Sequence, residues 1–358
     1  MPSPSRVLAF DILQKVESGG YASDLLVELS ADLPSRDAGL ASEIVFGVLR
    51  YRAQLDYLIE HYSGRRPKLD REVRNALRMG IYQLRYLDRV PGHAAVMESV
   101  DLVKRARKRS AASLVNAVLR KVNRDAVPWP SREVELSCPE WLLARWERQY
   151  GIEAAHAIAR AALEAPERYL RNGRVQDIGS QSIVPLLELE RGQTFLDLCA
   201  APGNKTAQAL EAGVRAVAAD VHFHRIAQLK GLGADLLVLD GTQPLPFHRR
   251  FDRVLVDAPC TGTGTLGRNP EIKWKLTPDD LADLQRRQRA LLAQALAVLA
   301  PGGRLVYSTC SLEPEENEEV VAGVREELII KTMRRLPGRD AGDGFFAAVI
   351  KSGELLND

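Results

Sequence analysis

Cysteine is scarce in this chain of 358 residues, which has four: Cys138, Cys199, Cys260 and Cys310. They are dispersed and lack CxxC spacing, so the sequence argues against a disulfide framework. The six histidines are scattered as well, and we predict no metal site. No apolar run approaches the roughly 20 residues of a membrane span, and the N-terminus leads into an amphipathic helix rather than a signal sequence. We therefore expect a cytoplasmic protein without a membrane partner.

The net charge is only +2, but it is unevenly distributed along the chain. Residues 1–130 contain 21 Lys and Arg against 15 Asp and Glu, whereas residues 131–358 contain 28 against 32. The densest basic run is Lys104–Arg109, and further cations precede it: Arg65, Arg66, Lys68, Arg71, Arg74 and Arg78. On charge alone, a solvated helix face and a nucleic-acid contact are equally good interpretations. If a polyanion binds, the N-terminal part is its expected contact.

Periodicity predicts three regions along the chain. In residues 6–124 apolar side chains repeat at helical spacing and strand signals are nearly absent, which predicts a compact helical bundle. Two prolines within residues 125–131 indicate a linker, and a shorter helical region follows from Pro139 to about Glu164. The expected domains are therefore a helical domain over 1–126, a linker with a short helical region over 127–173, and a third domain over 174–358.

From Thr194 onward, short apolar runs of strand length alternate with helical stretches. The clearest helix is predicted over Pro278–Leu299, with Thr277 as N-cap and Pro278 at the first helical position. This alternation predicts a doubly wound α/β domain with a mostly parallel sheet. The predicted strands are Thr194–Cys199, Val214–Ala219, Leu236–Leu239, Arg253–Val256, Arg304–Ser308 and Phe345–Ile350.

Acidic residues stand at the ends of four successive predicted strands: Asp197, Asp220, Asp240 and Asp257. In an open parallel sheet, the carboxyl ends of the strands line the ligand crevice. The segment 197–206 ends a strand and opens a helix, but it contains neither a GxGxxG fingerprint nor a GxxxxGK[ST] loop. It therefore predicts a ligand with an adenosine and no phosphates. Asp220 would accept hydrogen bonds from the ribose hydroxyls, and Asp240 would receive the adenine amino group.

Two of the cysteines, Cys260 and Cys310, each follow an apolar run of strand length. Because strand ends meet at one edge of a parallel sheet, these thiols can lie in one cleft although about fifty positions separate them. Asp257, three residues before Cys260, adds a titratable neighbour and favours thiol chemistry. Two buried structural thiols are the competing interpretation, since free cysteine packs as a small hydrophobe. These residues alone leave both interpretations open.

Four motifs carry a family resemblance: Asp197-Leu-Cys-Ala-Ala-Pro-Gly-Asn-Lys-Thr206, Asp257-Ala-Pro-Cys-Thr-Gly-Thr-Gly264, Arg268-Asn-Pro-Glu271 and Tyr307-Ser-Thr-Cys-Ser-Leu-Glu-Pro-Glu-Glu-Asn317. Together they resemble the RNA cytosine-C5 methyltransferases that use S-adenosylmethionine, over roughly residues 174 to 350. Residues 6–124 resemble the helical domain of the antitermination factor NusB. That fusion is characteristic of the bacterial small-subunit rRNA methyltransferases of the Fmu or Sun type. The resemblance implies an all-α NusB-like bundle that binds RNA, followed by a Rossmann-like class I S-adenosylmethionine-dependent methyltransferase domain.

The resemblance also implies which residues act. The family's nucleophile corresponds to Cys310, whose thiolate would add to cytosine C6 because C5 alone is a poor nucleophile. Cys260 would assist loss of the C5 proton and product release, Asp257 would face cytosine N3 and the amino group, and Lys205 would support the site electrostatically. In DNA cytosine-C5 methyltransferases the Pro-Cys cysteine attacks, which makes Cys260 the alternative nucleophile. S-adenosylmethionine would bind across Cys199, Ala200, Ala201, Pro202, Gly203, Asn204, Lys205, Asp220, Asp240 and Asp257.

The implied function is methylation of C5 of a specific cytosine in 16S rRNA by a monomeric enzyme. The rivals are a methyltransferase for tRNA or another rRNA position, and a non-catalytic RNA-binding assembly factor. The chain departs from the family pattern at Asn204, where glycine is usual. Residues 165–177 are also short where relatives carry a small RNA-binding subdomain. RNA binding would therefore be weaker or would be borne by the helical domain. The segment after Glu319 looks short, which would trim the sheet edge near Phe345.

Overall fold

The structure, a computed structural model, describes residues 2–64 and 68–353, and the chain divides into two compact units. We call Met1–Ala165 together with Leu266–Lys275 the helical unit, and Pro166–Thr265 together with Leu276–Asp358 the sheet unit. The chain therefore enters the helical unit a second time, for ten residues. The three domain boundaries expected from the sequence stay predictions. Arg65 and Arg66 of the predicted basic region lie outside the described residues.

In the helical unit, the amphipathic helices of residues 4–119 pack around one apolar core. Side chains at helical spacing, such as Ile12, Leu13 and Val16, point into that core and are buried. The predicted all-helical character is confirmed, since the described residues of this unit contain no strand. The helices are α1 (Pro4–Glu17), α2 (Ala22–Leu29), α3 (Ser35–Arg50), α4 (Arg52–Ser63), α5 (Arg71–Tyr86), α6 (Gly92–Arg105), α7 (Ala112–Leu119), α8 (Arg132–Glu135), α9 (Glu140–Tyr150), α10 (Ile152–Ala161) and α14 (Ile272–Lys275).

Several cations of the predicted basic region are already paired within the helical unit. Arg78 is 2% exposed, and its guanidinium donates to both carboxylate oxygens of Asp56 at 2.7 Å and to Glu17 at 2.8 Å. Three cations of the basic run also lie in ion pairs: Lys104, Arg105 and Lys108. This part of the surface therefore offers less unpaired positive charge than its sequence suggests.

We call Leu266–Lys275 the crossing segment, because it leaves the sheet unit and packs as part of the helical unit. Its side chains donate to backbone carbonyls of the bundle: Lys273 Nζ to Arg50 O at 3.0 Å and Trp274 Nε1 to Leu49 O at 2.7 Å. Lys273 is 1% exposed, and burial lowers the pKa of its ammonium group to about 8. These long-range bonds fix the segment that follows the Asp257–Gly264 motif.

The strands of the sheet unit are β1 (Leu170–Arg171), β2 (Arg174–Val175), β3 (Thr194–Asp197), β4 (Arg215–Asp220), β5 (Asp235–Val238), β6 (Phe251–Asp257), β7 (Leu299–Thr309), β8 (Ile329–Arg335) and β9 (Phe345–Lys351). β1 and β2 form a short hairpin, and the other seven form one sheet in the order β5-β4-β3-β6-β7-β9-β8. The first five strands of that order run parallel, and β9 runs antiparallel to both β7 and β8. All six predicted strands are therefore present, and the mostly parallel sheet is confirmed.

The expectation of a trimmed sheet edge near Phe345 is wrong, because β8 pairs with β9 and covers it. β8 is an edge strand with no fully buried side chain, so it lacks the apolar run by which the other strands are recognised. Residues 165–177 contain the hairpin of β1 and β2 and no other helix or strand. Residues 165–177 therefore form only a short hairpin, as the sequence indicates.

Short helices connect the strands of the sheet unit, and one long helix stands out. It begins with a capping box between Thr277 and Asp280 and a proline at the first helical position, and it ends at Ala297, two residues before the predicted end. Apolar clusters cover both faces of the sheet, as a doubly wound fold requires. The helices are α11 (Ile178–Gln181), α12 (Asn204–Leu210), α13 (Phe223–Ile226), α15 (Pro278–Ala297) and α16 (Glu318–Val321). No helix in the described part of the chain is long and apolar enough for a bilayer crossing.

Candidate active site

The segment Cys199–Lys205 connects the end of β3 to the start of α12 at the carboxyl edge of the sheet. Its backbone is tied to the neighbouring strand by a hydrogen bond from Ala200 N to Ala219 O at 2.8 Å. Gly203 has a φ of +100°, and a Cβ there would lie 2.7 Å from Leu229 Cγ. Glycine is therefore required at this position, both by the backbone conformation and by the close packing of the loop.

Asp197 lies beneath this loop and is almost fully buried. Its Oδ2 accepts a hydrogen bond from Thr206 Oγ1 at 2.6 Å, while its Oδ1 has no partner among the described residues. Burial raises the pKa of the Asp197 carboxyl to about 7, against the opposing effect of the Thr206 hydroxyl. The contact with Thr206 holds the first turn of α12 to the end of β3.

Two further carboxylates follow the adjacent parallel strands β4 and β5. Asp220 is buried, accepts a hydrogen bond from His222 N at 3.0 Å and lies 3.7 Å from the guanidinium of Arg225. Asp240 is exposed, and hydrogen bonds from the side chain and backbone N–H of Thr242 lower the pKa of its carboxyl. Both acids are therefore at the same sheet edge, in contact with their local turns.

The strands β6 and β7 bring two predicted cysteines together. Asp257 and Ser308 are in register across these strands, and Cys260 Sγ lies 3.3 Å from Cys310 Sγ. The pKa of the Cys260 thiol is raised, first by its hydrogen bond to Cys310 and then by burial. The thiol loops are close-packed, since a Cβ on Gly264 would lie 2.7 Å from the carbonyl oxygen of Cys310.

A partly buried ion pair lies at the same strand ends. Lys205 Nζ is 2.6 Å from Asp257 Oδ2, and the other carboxylate oxygen accepts a hydrogen bond from Ser308 Oγ at 2.8 Å. The Lys205 ammonium also lies 5.3 Å from the centre of the Phe345 ring. The carboxylate of Asp257 is thus oriented by one residue from α12 and one from β7.

The carboxylate of Glu316 joins two loops of the site, and the sequence analysis did not identify this residue. It is fully buried, and its Oε1 accepts hydrogen bonds from Thr261 N and Gln288 Nε2, both at 2.9 Å. Its Oε2 accepts from the hydroxyls of Thr261 and Ser311. One carboxylate therefore joins the loop after Cys260 to the loop after Cys310. The only sequence signal was its place in the Tyr307–Asn317 motif.

The predicted residues thus fall into two groups. Lys205, Asp257, Cys260 and Cys310 occur together at the ends of β6 and β7, while Asp220 and Asp240 lie at the ends of β4 and β5. Cys199 belongs to the loop between them, and burial, followed by the charges of Asp197 and Asp257, raises the pKa of its thiol well above the ordinary value. Cys138 is buried in the helical unit.

Comparison with known proteins agrees with this architecture. The family model described as "16S rRNA methyltransferase RsmB/F" matches residues 184–351, and the model of the NusB family matches residues 3–124. The crystal structure of the protein PH0851 is similar with a TM-score of 0.77 at 23% identity, over 98% of this chain and 100% of that one. This likeness establishes a shared fold.

Curated relatives match over nearly the whole chain. A "Probable ribosomal RNA small subunit methyltransferase B" of Bacillus subtilis is 32% identical over 90% of this chain and 88% of its own length. A "Ribosomal RNA small subunit methyltransferase B" of Citrobacter koseri is 31% identical over 410 residues, covering 94% of this chain and 95% of its own length. With its NusB domain, its methyltransferase domain and these relatives, the chain belongs to the ribosomal RNA small subunit methyltransferase B family.

Proposed function

We propose that this protein methylates C5 of a cytosine in 16S ribosomal RNA through a covalent bond between Cys310 and cytosine C6. The observation that supports this most is the thiol pair, with Cys260 Sγ and Cys310 Sγ 3.3 Å apart. The Lys205–Asp257 ion pair lies at the ends of the same strands. The methyl donor is S-adenosylmethionine, which supplies an electrophilic methyl group on a positively charged sulfur.

The segment Cys199–Lys205 and the acids beyond it fit this donor. Small residues and the tight turn at Gly203 let an adenosine moiety approach the backbone without a pyrophosphate site. The carboxylates of Asp220 and Asp240 suit ribose hydroxyls and an adenine amino group. Val221 and Phe223, next to Asp220, are 52% and 71% exposed and offer an apolar surface to an adenine ring.

The two thiols take different roles in this mechanism. The Cys310 thiolate adds to C6 and the C5–C6 electron pair moves to C5. C5 then bonds to the methyl group while the bond from that methyl to the donor sulfur breaks and S-adenosylhomocysteine leaves. The Cys260 thiolate then takes the C5 proton, the C–H electron pair restores the C5–C6 double bond, and the Cys310 thiolate leaves C6. Cys310 and burial raise the pKa of Cys260, and a raised pKa makes its thiolate a stronger base, which suits acceptance of the C5 proton.

Asp257 and Lys205 act on the charge of the cytosine ring. Addition of a thiolate at C6 pushes electron density toward N3 and the exocyclic amino group. The Asp257 carboxylate, held by Lys205 and Ser308, accepts a hydrogen bond from that amino group or from protonated N3. The Lys205 ammonium stabilises the carboxylate within a partly buried site.

The RNA partner is proposed from the family and from the domain composition. We assign RNA binding to the NusB-like region 1–126, with residues 127–173 as a shortened connection and 174–358 as the methyltransferase domain. The enzyme would act as a monomer on 16S rRNA in the cytoplasm. The alignment with the Citrobacter koseri relative spans more residues than this chain contains, so that relative has segments that this chain lacks.

Labelled S-adenosylmethionine and protein-free 16S rRNA test this proposal. We expect label at one cytosine as 5-methylcytosine, and no label with Cys310→Ala. A tRNA pool and the large-subunit rRNA are run in parallel. Methylation of those RNAs in place of 16S rRNA would refute the substrate. Binding of S-adenosylmethionine by calorimetry without methylation of any of these RNAs would refute the activity and favour an assembly factor.

A further inference from the structure

The helical unit contains a cavity of about 530 Å³ that the proposed reaction does not use. Its walls come from α1, α3, α4, α5 and the crossing segment. Apolar side chains form one part of the wall and charged groups the other. The polar lining residues are Glu17, Arg52, Arg74, Asn75, Arg78, Glu271 and Lys275. A cavity of this size matches a small organic ligand rather than a single water or ion.

Arg52 is a cation in this wall on which Asp56 and Glu17 act through their charges, without a hydrogen bond or ion pair. Its guanidinium lies 5.3 Å from the centre of the Trp274 ring, and no hydrogen bond or ion pair of Arg52 occurs among the described residues. Burial, followed by the charge of Arg78, lowers the pKa of the Arg52 guanidinium. Arg78 itself is compensated by Asp56 and Glu17. The N–H groups of this half-buried guanidinium therefore have no acceptor among the described residues, and a ligand can supply one.

Two further atoms of the wall lack partners although their residues are buried. Asn75 and Glu271 are each 1% exposed, and neither Asn75 Nδ2 nor Glu271 Oε2 has a hydrogen-bond partner among the described residues. The other oxygen of Glu271 accepts from Ala22 N at 2.8 Å, and that of Asn75 accepts from Arg78 at 3.1 Å. Each side chain is thus fixed at one atom, and the two amide hydrogens of Asn75 and one carboxylate oxygen of Glu271 are left without a partner.

We propose that this cavity binds one nucleotide of the RNA strand, with its phosphate at Arg52 and its base against the apolar wall and Trp274. The inference rests on the proposed function for the identity of the polymer. A guanidinium suits a phosphate, while a carboxylate oxygen suits a ribose hydroxyl or a base amino group. A bare phosphate would be repelled by Glu271, whereas a nucleotide presents both an anion and hydrogen-bond donors. The amide hydrogens of Asn75 would donate to a carbonyl oxygen of the base.

The crossing segment connects the cavity to the Asp257–Gly264 motif along the chain. Glu271 and Trp274 line the cavity and belong to the stretch that directly follows the Asp257–Gly264 motif. A nucleotide in the cavity therefore contacts Glu271, which is seven positions after Gly264 in the sequence. The expected consequence is tighter RNA binding, seen as a lower KM, with little change in kcat.

The test uses the full-length protein and a labelled 12-nucleotide single-stranded RNA, with anisotropy recorded over a range of salt concentrations. Arg52→Gln should weaken binding about tenfold and reduce the slope of log K against log salt by about 1, because one phosphate contact is lost. Arg52→Lys keeps the charge and should keep the slope, which distinguishes the contact from a folding defect. Arg36→Gln, an exposed arginine of the same unit, is the matched control and should change neither.

Inorganic phosphate and the four ribonucleoside 5′-monophosphates are titrated in parallel by calorimetry. Equal affinity and slope for wild type and Arg52→Gln would overturn the proposal. Tight Arg52-dependent binding of a monophosphate or of phosphate, with no effect of Arg52→Gln on the RNA, would overturn the assignment to an RNA strand. Arg52-dependent RNA binding in a protein that methylates no rRNA would refute the proposed activity and leave this site standing.

Discussion

Glu316 provides a quantitative test of how the site is held together. Its Oε1 is the acceptor for two N–H donors, Thr261 N and Gln288 Nε2. Glu316→Ala leaves the Thr261 N–H and one N–H of Gln288 Nε2 without an acceptor, while the other N–H keeps Pro259 O and the hydroxyls of Thr261 and Ser311 can turn toward each other. An orphaned buried donor costs about 1–3 kcal/mol, so we expect the free energy of unfolding to fall by about 3 kcal/mol.

Glu316→Gln separates hydrogen bonding from simple loss of volume. The glutamine carbonyl can replace Oε1 and serve both N–H donors, and its amino group can donate to the two hydroxyls. We therefore expect a loss of about 1 kcal/mol, mostly from the charge-assisted character of the original bonds. Glu319→Ala, an exposed carboxylate with one amide partner, should stay within about 0.5 kcal/mol of wild type.

Urea unfolding followed by far-ultraviolet circular dichroism measures these differences. Tryptophan fluorescence alone is insufficient, because all four tryptophans occur in the helical unit. Methylation should also fall at least tenfold in Glu316→Ala, because Thr261 adjoins Cys260 and Ser311 adjoins Cys310. Equal stability of Glu316→Ala and Glu319→Ala would refute the claim that this carboxylate joins the two loops.

Two further predictions follow from the ion pair and from the buried acid under the cofactor loop. Lys205→Met should reduce methylation about 100-fold, because the Asp257 carboxylate loses its cation. Lys230→Met, at an exposed lysine, is the control and should leave the rate unchanged. Comparable rates for the two variants would contradict this role of Lys205. The pKa of Asp197 is raised to about 7 by burial, so the folded state holds a proton that the unfolded state has released above about pH 4. This group should therefore lower the free energy of unfolding by about 1.4 kcal/mol per pH unit between pH 4 and 7. Asp197→Asn should remove that part of the slope in unfolding experiments at pH 5, 6, 7 and 8. An unchanged slope would show that Asp197 is ionised in the folded protein.

The strand ends of the sheet unit were predictable because apolar runs and their terminal residues obey simple rules. Parallel strands put Asp220 and Asp257 at one edge, and the structure places Cys260 and Cys310 in contact as that rule suggests. β8 was missed because it is an exposed edge strand with cationic and polar residues, such as Lys331, which local patterning cannot distinguish from a loop.

Other features depend on partners that are distant in the sequence. Glu316 lies in an acidic stretch and resembles a surface residue until Thr261 and Gln288 are seen to donate to it. Arg78 likewise resembles part of a basic surface, but it is buried against Asp56. The crossing segment joins the helical unit through bonds that span more than 200 residues, and no local pattern encodes such a contact.

The central claim is that Cys310 attacks the cytosine and Cys260 releases the product. The most direct measurement incubates Cys260→Ala and Cys310→Ala with 16S rRNA and S-adenosylmethionine and separates any protein–RNA adduct on a denaturing gel. Cys138→Ala, a buried thiol of the helical unit, is the control and should methylate without accumulating adduct. We predict a stable adduct with Cys260→Ala and none with Cys310→Ala. An adduct with Cys310→Ala, and none with Cys260→Ala, would contradict the account and make Cys260 the nucleophile.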